Sequence, residues 1–175
     1  MKLISIFSHD AGSAEIISSW CKNKRENYKF LYVLKGPAKK IFKKKLTKLN
    51  ETNFLNAINR SDFVVTGTSW QSDLEYRAIK YCRKKNKKVI SVLDHWINYR
   101  ERFFWHGPEI LPNELWVFDQ DAKKLASRIF KKTQIKLKKN FYWDEIYRKS
   151  RKNNKTLKKN SLLFFSSNYD SIKKY

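Results

Sequence analysis

Three short polar stretches of this chain combine residue types that can move protons or grip a polyhydroxyl ligand. The first is His9-Asp10-Ala11-Gly12-Ser13. An imidazole beside a carboxylate can serve as a base or a hydrogen-bond donor. Ala11, Gly12 and Ser13 let a backbone approach closely, and a helix starting there would offer free N–H groups to an anion or a sugar hydroxyl. The single glycine is not a GxGxxG fingerprint. The plainer role for Asp10 is to cap that helix. The second stretch is Thr66-Gly67-Thr68-Ser69-Trp70, whose hydroxyls and glycine suit phosphate or sugar contacts. A plain strand-to-helix turn with Trp70 packed beneath it is the alternative. No GxxxxGK followed by Ser or Thr is present, so a Walker-type nucleotide site is not supported.

The third stretch, Asp94-His95-Trp96, carries the most information. Adjacent Asp and His at a strand end can form an acid/base pair, and Trp96 offers an apolar face to a sugar ring. Tyr99, Arg100 and Arg102 follow within reach, and an arginine there can hold a carboxylate or phosphate through two parallel bonds. Alternatively, Asp94 satisfies backbone groups while Arg100 and Arg102 pair with Glu101 or Glu109. His106, in the run Phe103-Phe104-Trp105, reads as a packed histidine. Three scattered histidines and two cysteines without a CxxC pair give no metal-site spacing. No nucleophile elbow of the G-x-S-x-G kind occurs.

The elements that must position these stretches follow from hydrophobic periodicity. Leu3 to Phe7, Tyr28 to Leu34, Asp62 to Thr66, Lys88 to Leu93, Leu115 to Phe118 and Thr133 to Leu137 are short apolar runs suited to buried strands, with Trp116 in the core. Between them lie helical patterns carrying Ala14, Ile16, Ile17, Trp20 and Cys21, then Ile41 and Leu46 behind Pro37, then Phe54, Leu55 and Ile58. Leu74, Ala78, Ile79 and Cys82 form the next apolar stripe, with Ser69 or Ser72 as its cap. Ala122, Leu125, Ala126 and Ile129 form another, with Asp119 or Asp121 as cap. Phe141 to Tyr147 is helical. Strands alternating with helices predict an α/β, Rossmann-like three-layer domain with a mostly parallel sheet. In such sheets ligands sit beyond the carboxyl ends of the strands, where all three polar stretches fall.

A length of 175 residues predicts one main domain with a core that needs no staples. That domain spans residues 1–148, followed by a basic linker at 149–160. Ser161 to Ser166 is then an added strand or the start of a missing second domain. Cys21 and Cys82 read as buried free thiols, which fits a reducing, cytoplasmic setting. The opening run MKLISIF is too short for a signal segment or a membrane span. The net charge is +23, with lysine supplying 30 of the 39 positive residues. Such a charge attracts polyanions or acidic membrane surfaces. An AT-rich coding bias would give the same lysine excess, and a base-reading groove favours arginine, so specific nucleic-acid binding is not expected. A basic polyanion-binding module is one competing function. A non-catalytic interaction domain docking through Leu162, Leu163, Phe164 and Phe165 is another.

HDAGSAEIISSW, VTGTSWQSDLEYRAIKYCRKKNKKVISVLDHWINYRERF and LPNELWVFDQDAKKLA together resemble the N-terminal domain of bacterial GT-B-like glycosyltransferase or sugar-epimerase-like proteins of surface-polysaccharide synthesis. The resemblance spans most of residues 1–129 and rests on loop order and fold pattern. It implies two facing Rossmann-like domains, the first mainly holding the acceptor and the second mainly a nucleotide-sugar donor, in a group many of whose members need no metal. This domain alone would then bind no cofactor. Its partners would be a glycan or lipid-linked sugar acceptor, a separate donor-domain chain and the inner face of an acidic membrane. On that resemblance His9, Asp10, Asp94 and His95 are the candidates for the general base. Gly12, Ser13, Gly67, Thr68, Ser69, Trp70, Trp96, Tyr99, Arg100 and Arg102 would line the substrate side. A complete GT-B chain is about twice this length, so an isolated acceptor half, possessing no donor-phosphate groups, is expected to be inactive by itself.

Overall fold

The protein was analysed as a computed structural model that describes residues 1–152. Six short apolar runs become strands: β1 (Lys2–Ser8), β2 (Tyr28–Leu34), β3 (Phe63–Thr66), β4 (Val89–Val92), β5 (Glu114–Val117) and β6 (Gln134–Leu137). They join one wholly parallel sheet in the order β2-β1-β3-β4-β5-β6. Ile6 pairs with Tyr32 on one side and Val65 on the other, which places β1 in the interior. The chain leaves β1 toward β2, then returns to the opposite side of β1 and proceeds outward from β3. The winding reverses between β1 and β3, the place where open parallel sheets hold their ligands.

Parallel strands need crossovers: α1 (Ala11–Lys24) joins β1 to β2, α2 (Gly36–Lys45) and α3 (Phe54–Arg60) join β2 to β3, α4 (Leu74–Lys84) joins β3 to β4 and α5 (Gln120–Ile129) joins β5 to β6, while a loop joins β4 to β5 and α6 (Phe141–Lys152) follows β6. The period-2 alternation of each strand divides the apolar residues between two layers. Ile4, Ile6, Val65, Ile90 and Trp116 face α1, α2 and α6, against Ala14, Ile17, Phe42 and Tyr142. Phe7, Val64, Val89, Leu115 and Val117 face α3, α4 and α5, against Ile58, Ile79, Cys82 and Ala126. Each fully buried large apolar side chain contributes about 1.5–3 kcal/mol relative to exposure. The result is the expected three-layer α/β architecture. Trp116 is core, and Cys21 and Cys82 are buried free thiols. Burial pushes both thiols up, Cys82 to about 12, so neither is a ready nucleophile.

Local details correct the sequence reading. Asp73 is the residue before α4, whereas Ser72 only accepts a bond from the Leu74 N–H at 3.2 Å, and Ser69 turns inward instead. Asp119 does cap α5, accepting from the Ala122 N–H at 2.7 Å. His106 is not packed: it is exposed at a left-handed backbone position with φ of 44°. A short 3-10 turn at Glu101–Phe103, absent from the expected elements, anchors buried Phe103. Helix α6 runs to Lys152, into the stretch read as a linker. Ser161 to Ser166 lies outside the described residues.

Candidate functional site at the carboxyl edge of the sheet

The three polar turns meet. His9 and Asp10 leave β1, Gly67 to Ser69 leave β3, and Asp94 to Trp96 follow β4. Ser69 Oγ donates to Asp10 Oδ1 at 2.8 Å, joining the second turn to the first. Arg102 Nη1 donates to Asp94 Oδ1 at 2.6 Å and to Thr68 Oγ1 at 2.9 Å, joining the third to the second. The Asp94 carboxylate presses on Gly12, where a Cβ would stand 2.1 Å from Asp94 Oδ2, joining the third to the first. The glycine there is a matter of space.

Within this rim His9 Nδ1 lies 2.7 Å from Asp10 Oδ1. With its proton on Nδ1, His9 donates to the carboxylate and keeps the Nε2 lone pair. Asp10 occupies the residue before α1 but makes no capping bond with its side chain, because Ser69 and His9 claim it. The expectation of a capping Asp10 is thereby overturned. The His9 ring stands over Gly36, whose φ of +47° and the 2.6 Å approach of a built Cβ to Nε2 both require glycine.

Beneath the rim sits Glu75, which the sequence analysis does not single out. It is 1 % exposed, accepts from the His9 N–H at 2.7 Å through Oε1, and has no hydrogen-bond partner on Oε2 among the described residues. Burial, reinforced by Asp10 and Asp73, pushes its carboxyl up to about 8. Two more buried polar atoms at this edge, Ser8 Oγ and the Tyr99 hydroxyl, are likewise unpartnered among the described residues. The acidic pair and the orphaned hydroxyls make this the polar, incompletely satisfied end of the sheet.

Next to Gly12 and Asp94 a cavity of about 290 Å³ opens between the ends of β4 and β5. Gly12, Ala122 and Asn140 bring the first turns of α1, α5 and α6 to its wall. Asp94, Trp96, Tyr99 and Asp119 line it, together with Tyr142 and Trp143, which had not been singled out in the sequence. Trp96 is 60 % exposed, and its Nε1 donates to Asp119 Oδ2 at 3.0 Å, which holds the ring at the mouth. Tyr99 is buried and stacks on Phe130 at 6.2 Å. Burial, then the Asp119 charge, pushes its hydroxyl up to about 12, so it stays protonated. Trp143 gave no local signal, because only packing of α6 beside α1 brings it to this wall.

Not every candidate joins the cluster. Trp70 is 54 % exposed instead of packed below its turn, and it does not line the cavity. Arg100 points to Glu109 at 4.0 Å, away from the rim. Arg102 pairs with Asp94 in place of Glu101 or Glu109, so Asp94 serves a side chain and not backbone groups. His95 does line the cavity, exposed at its mouth, and its Nδ1 accepts from the Trp96 N–H at 3.0 Å. Ser13 is buried against Gly67, where a Cβ would stand 2.4 Å from its Oγ. Gly67 and Ser13 therefore pack against each other within the rim. Among the described residues no group of three His, Cys, Asp or Glu side chains is arranged to hold a metal ion, and no helix there is long and apolar enough to cross a membrane.

Among solved structures the chain is similar to UDP-GlcNAc 2-epimerase from Neisseria meningitidis bound to UDP-GlcNAc, with a TM-score of 0.58 and 11 % identity. The match covers 89 % of this chain and 50 % of that one. The chain thus spans half the length of the sugar-nucleotide enzyme whose fold it shares. No family model matches the sequence, and no curated protein does. At this identity the likeness establishes a Rossmann-like, GT-B-related fold.

Proposed function

We propose that this chain is the acceptor-binding half of a GT-B-like sugar-transferring enzyme, with His9 as its general base. One observation carries the reading. At the switch-point edge of a parallel sheet, an imidazole–carboxylate pair shares one rim with Gly12 and Asp94, which line a cavity that combines exposed indole faces with carboxylate acceptors. A sugar presents apolar C–H faces and hydroxyl donors, and Trp96 and Trp143 suit the former while Asp94 and Asp119 suit the latter. The likeness to a protein of known structure bound to UDP-GlcNAc supports the same substrate class.

In this reading His9 Nε2 takes the proton of the acceptor hydroxyl as its oxygen attacks the anomeric carbon of the donor sugar. The bond from that carbon to the nucleoside diphosphate breaks, and the diphosphate leaves with the electron pair. Asp10, itself held by Ser69, stabilises the imidazolium that forms. In this reading the groups that neutralise the leaving diphosphate belong to a donor domain facing this edge. A titration of the labelled protein with glycans and UDP-GlcNAc tests the binding step. The indole N–H signals of Trp96 and Trp143 should move with a glycan, and Trp96→Ala should remove the response. Unmoved indole signals across the panel would sink the reading.

A further inference from the structure

We infer that the cleft between α1, α2 and α6 docks this protein onto an anionic lipid surface. This goes beyond the sugar-transfer reading and does not rest on it. The cleft is open, about 910 Å³, and lies on one helix layer of the molecule. Six of its cations, Lys22, Arg25, Lys44, Arg148, Lys149 and Arg151, form no ion pair among the described residues. The two carboxylates in the cleft are already claimed: Lys45 Nζ contacts Glu15 and lies 3.5 Å from Glu145. Lys45 also sits 4.3 Å above the Tyr142 ring, so the acids and their cation close the floor of the cleft while the other positive charges face outward.

Charge alone does not single out this face. Lys80, Arg83, Lys84, Lys123 and Lys124 stand on the opposite layer, on α4 and α5. What the cleft adds is concavity and exposed apolar side chains. Ile146 is exposed on the cleft wall, Tyr147 is exposed next to it with Arg151 packed 4.8 Å over its ring, and Trp143 stands exposed one turn earlier on α6, outside the cleft. Cations flanking exposed indole, phenol and aliphatic groups match the lipid–water interface, where aromatic rings sit at headgroup depth and lysine and arginine reach the phosphates. A nucleic-acid groove would call for side chains that read or stack on bases across it, and the cleft floor offers one tyrosine, already covered by Lys45. Tyr142 lines both this cleft and the cavity at Asp94 and Trp96, so docking here would hold that cavity next to the bilayer.

Cosedimentation of the full chain with vesicles tests the inference without any sugar. Phosphatidylcholine vesicles containing phosphatidylglycerol should capture the protein, and pure phosphatidylcholine vesicles should not. The triple variant Lys22→Gln, Arg25→Gln, Lys44→Gln should lose about 100-fold in affinity, at roughly a factor of five per interfacial cation. The triple variant Lys80→Gln, Lys84→Gln, Lys123→Gln removes the same charge from the other layer and should lose less than a few-fold. Ile146→Gln should weaken capture without changing the circular dichroism spectrum. Equal losses in the two triple variants would overturn the inference in favour of undirected charge attraction. Tighter binding to a single-stranded RNA than to the acidic vesicles, lost with the same cleft cations, would overturn it in favour of nucleic acid.

Discussion

Two buried glutamates, one at each end of the sheet, are solved in opposite ways. Glu114 opens β5 at the amino edge and is 2 % exposed. It accepts from Trp116 Nε1 at 2.6 Å and meets Lys136 at 2.9 Å and Lys88 at 3.2 Å. Burial raises its carboxyl, but Lys136, Trp116 and Lys88 together outweigh burial and hold it below the ordinary range. Glu75 at the carboxyl edge has no cation within reach and one oxygen without a partner among the described residues, so burial wins and the acid stays protonated near neutrality. A buried acid held by two lysines marks the amino end, and a buried acid with no cation beneath an imidazole–carboxylate pair marks the end where the proposed site lies.

The contrast breaks most visibly under pH. The folded protein holds the Glu75 proton more tightly than the unfolded chain, from 4.5 to about 8. The stability of the protonated form is therefore whole below about pH 4.5 and is lost as pH rises to about 8. Glu75→Gln keeps an acceptor for the His9 N–H and removes the titration. Denaturant unfolding should find the variant level with the native protein near pH 5 and more stable near pH 9 by on the order of 4 kcal/mol. Parallel stability curves for the two proteins would erase the distinction between the two acids. Glu114→Gln should do the reverse. Its lowered carboxyl contributes stability above the ordinary carboxylate range, lost as pH falls through the folded value. The variant should cost about 2 kcal/mol at pH 7 and much less in acid, since Lys88 and Lys136 are half exposed and can rehydrate. A thermal melt series from pH 7 to pH 3 checks it. The smallest effect sharpens the rim itself. Gly12→Ala drives a methyl into the Asp94 carboxylate and should cost about 1–2 kcal/mol by breaking the Asp94–Arg102 contact. Its signature is a shifted Arg102 side-chain resonance, and an unshifted one would mean that Asp94 does not depend on Gly12.

Much of the carboxyl rim was legible because strand ends and helix starts are local. His9, Asp10, Thr68, Ser69, Asp94 and Arg102 stood out as polar residues at those junctions, and they converge. Their partners were not legible. Nothing near Asp94 in sequence favours Arg102 over Arg100, and only the 3-10 turn at Glu101–Phe103 decides which arginine swings inward. Trp70 reads as a buried aromatic by type, yet it stands in solvent at the turn. Glu75 looked like an ordinary polar residue beside an apolar stripe, because the chain carries no mark of the 2.7 Å bond that the His9 backbone makes to it.

The sequence by itself determined the alternation of six apolar runs with helical stripes, and with it a parallel α/β sheet whose polar turns share one edge. That much follows from periodicity, a property of neighbouring residues. The tertiary structure alone decided the strand order, the claim of Ser69 on Asp10, the burial of Glu75 without a cation, and the arrival of Trp143 at the cavity wall. Each of those joins residues from different crossovers, and their meeting is set by how the helices pack on the two faces of the sheet, which no local pattern encodes.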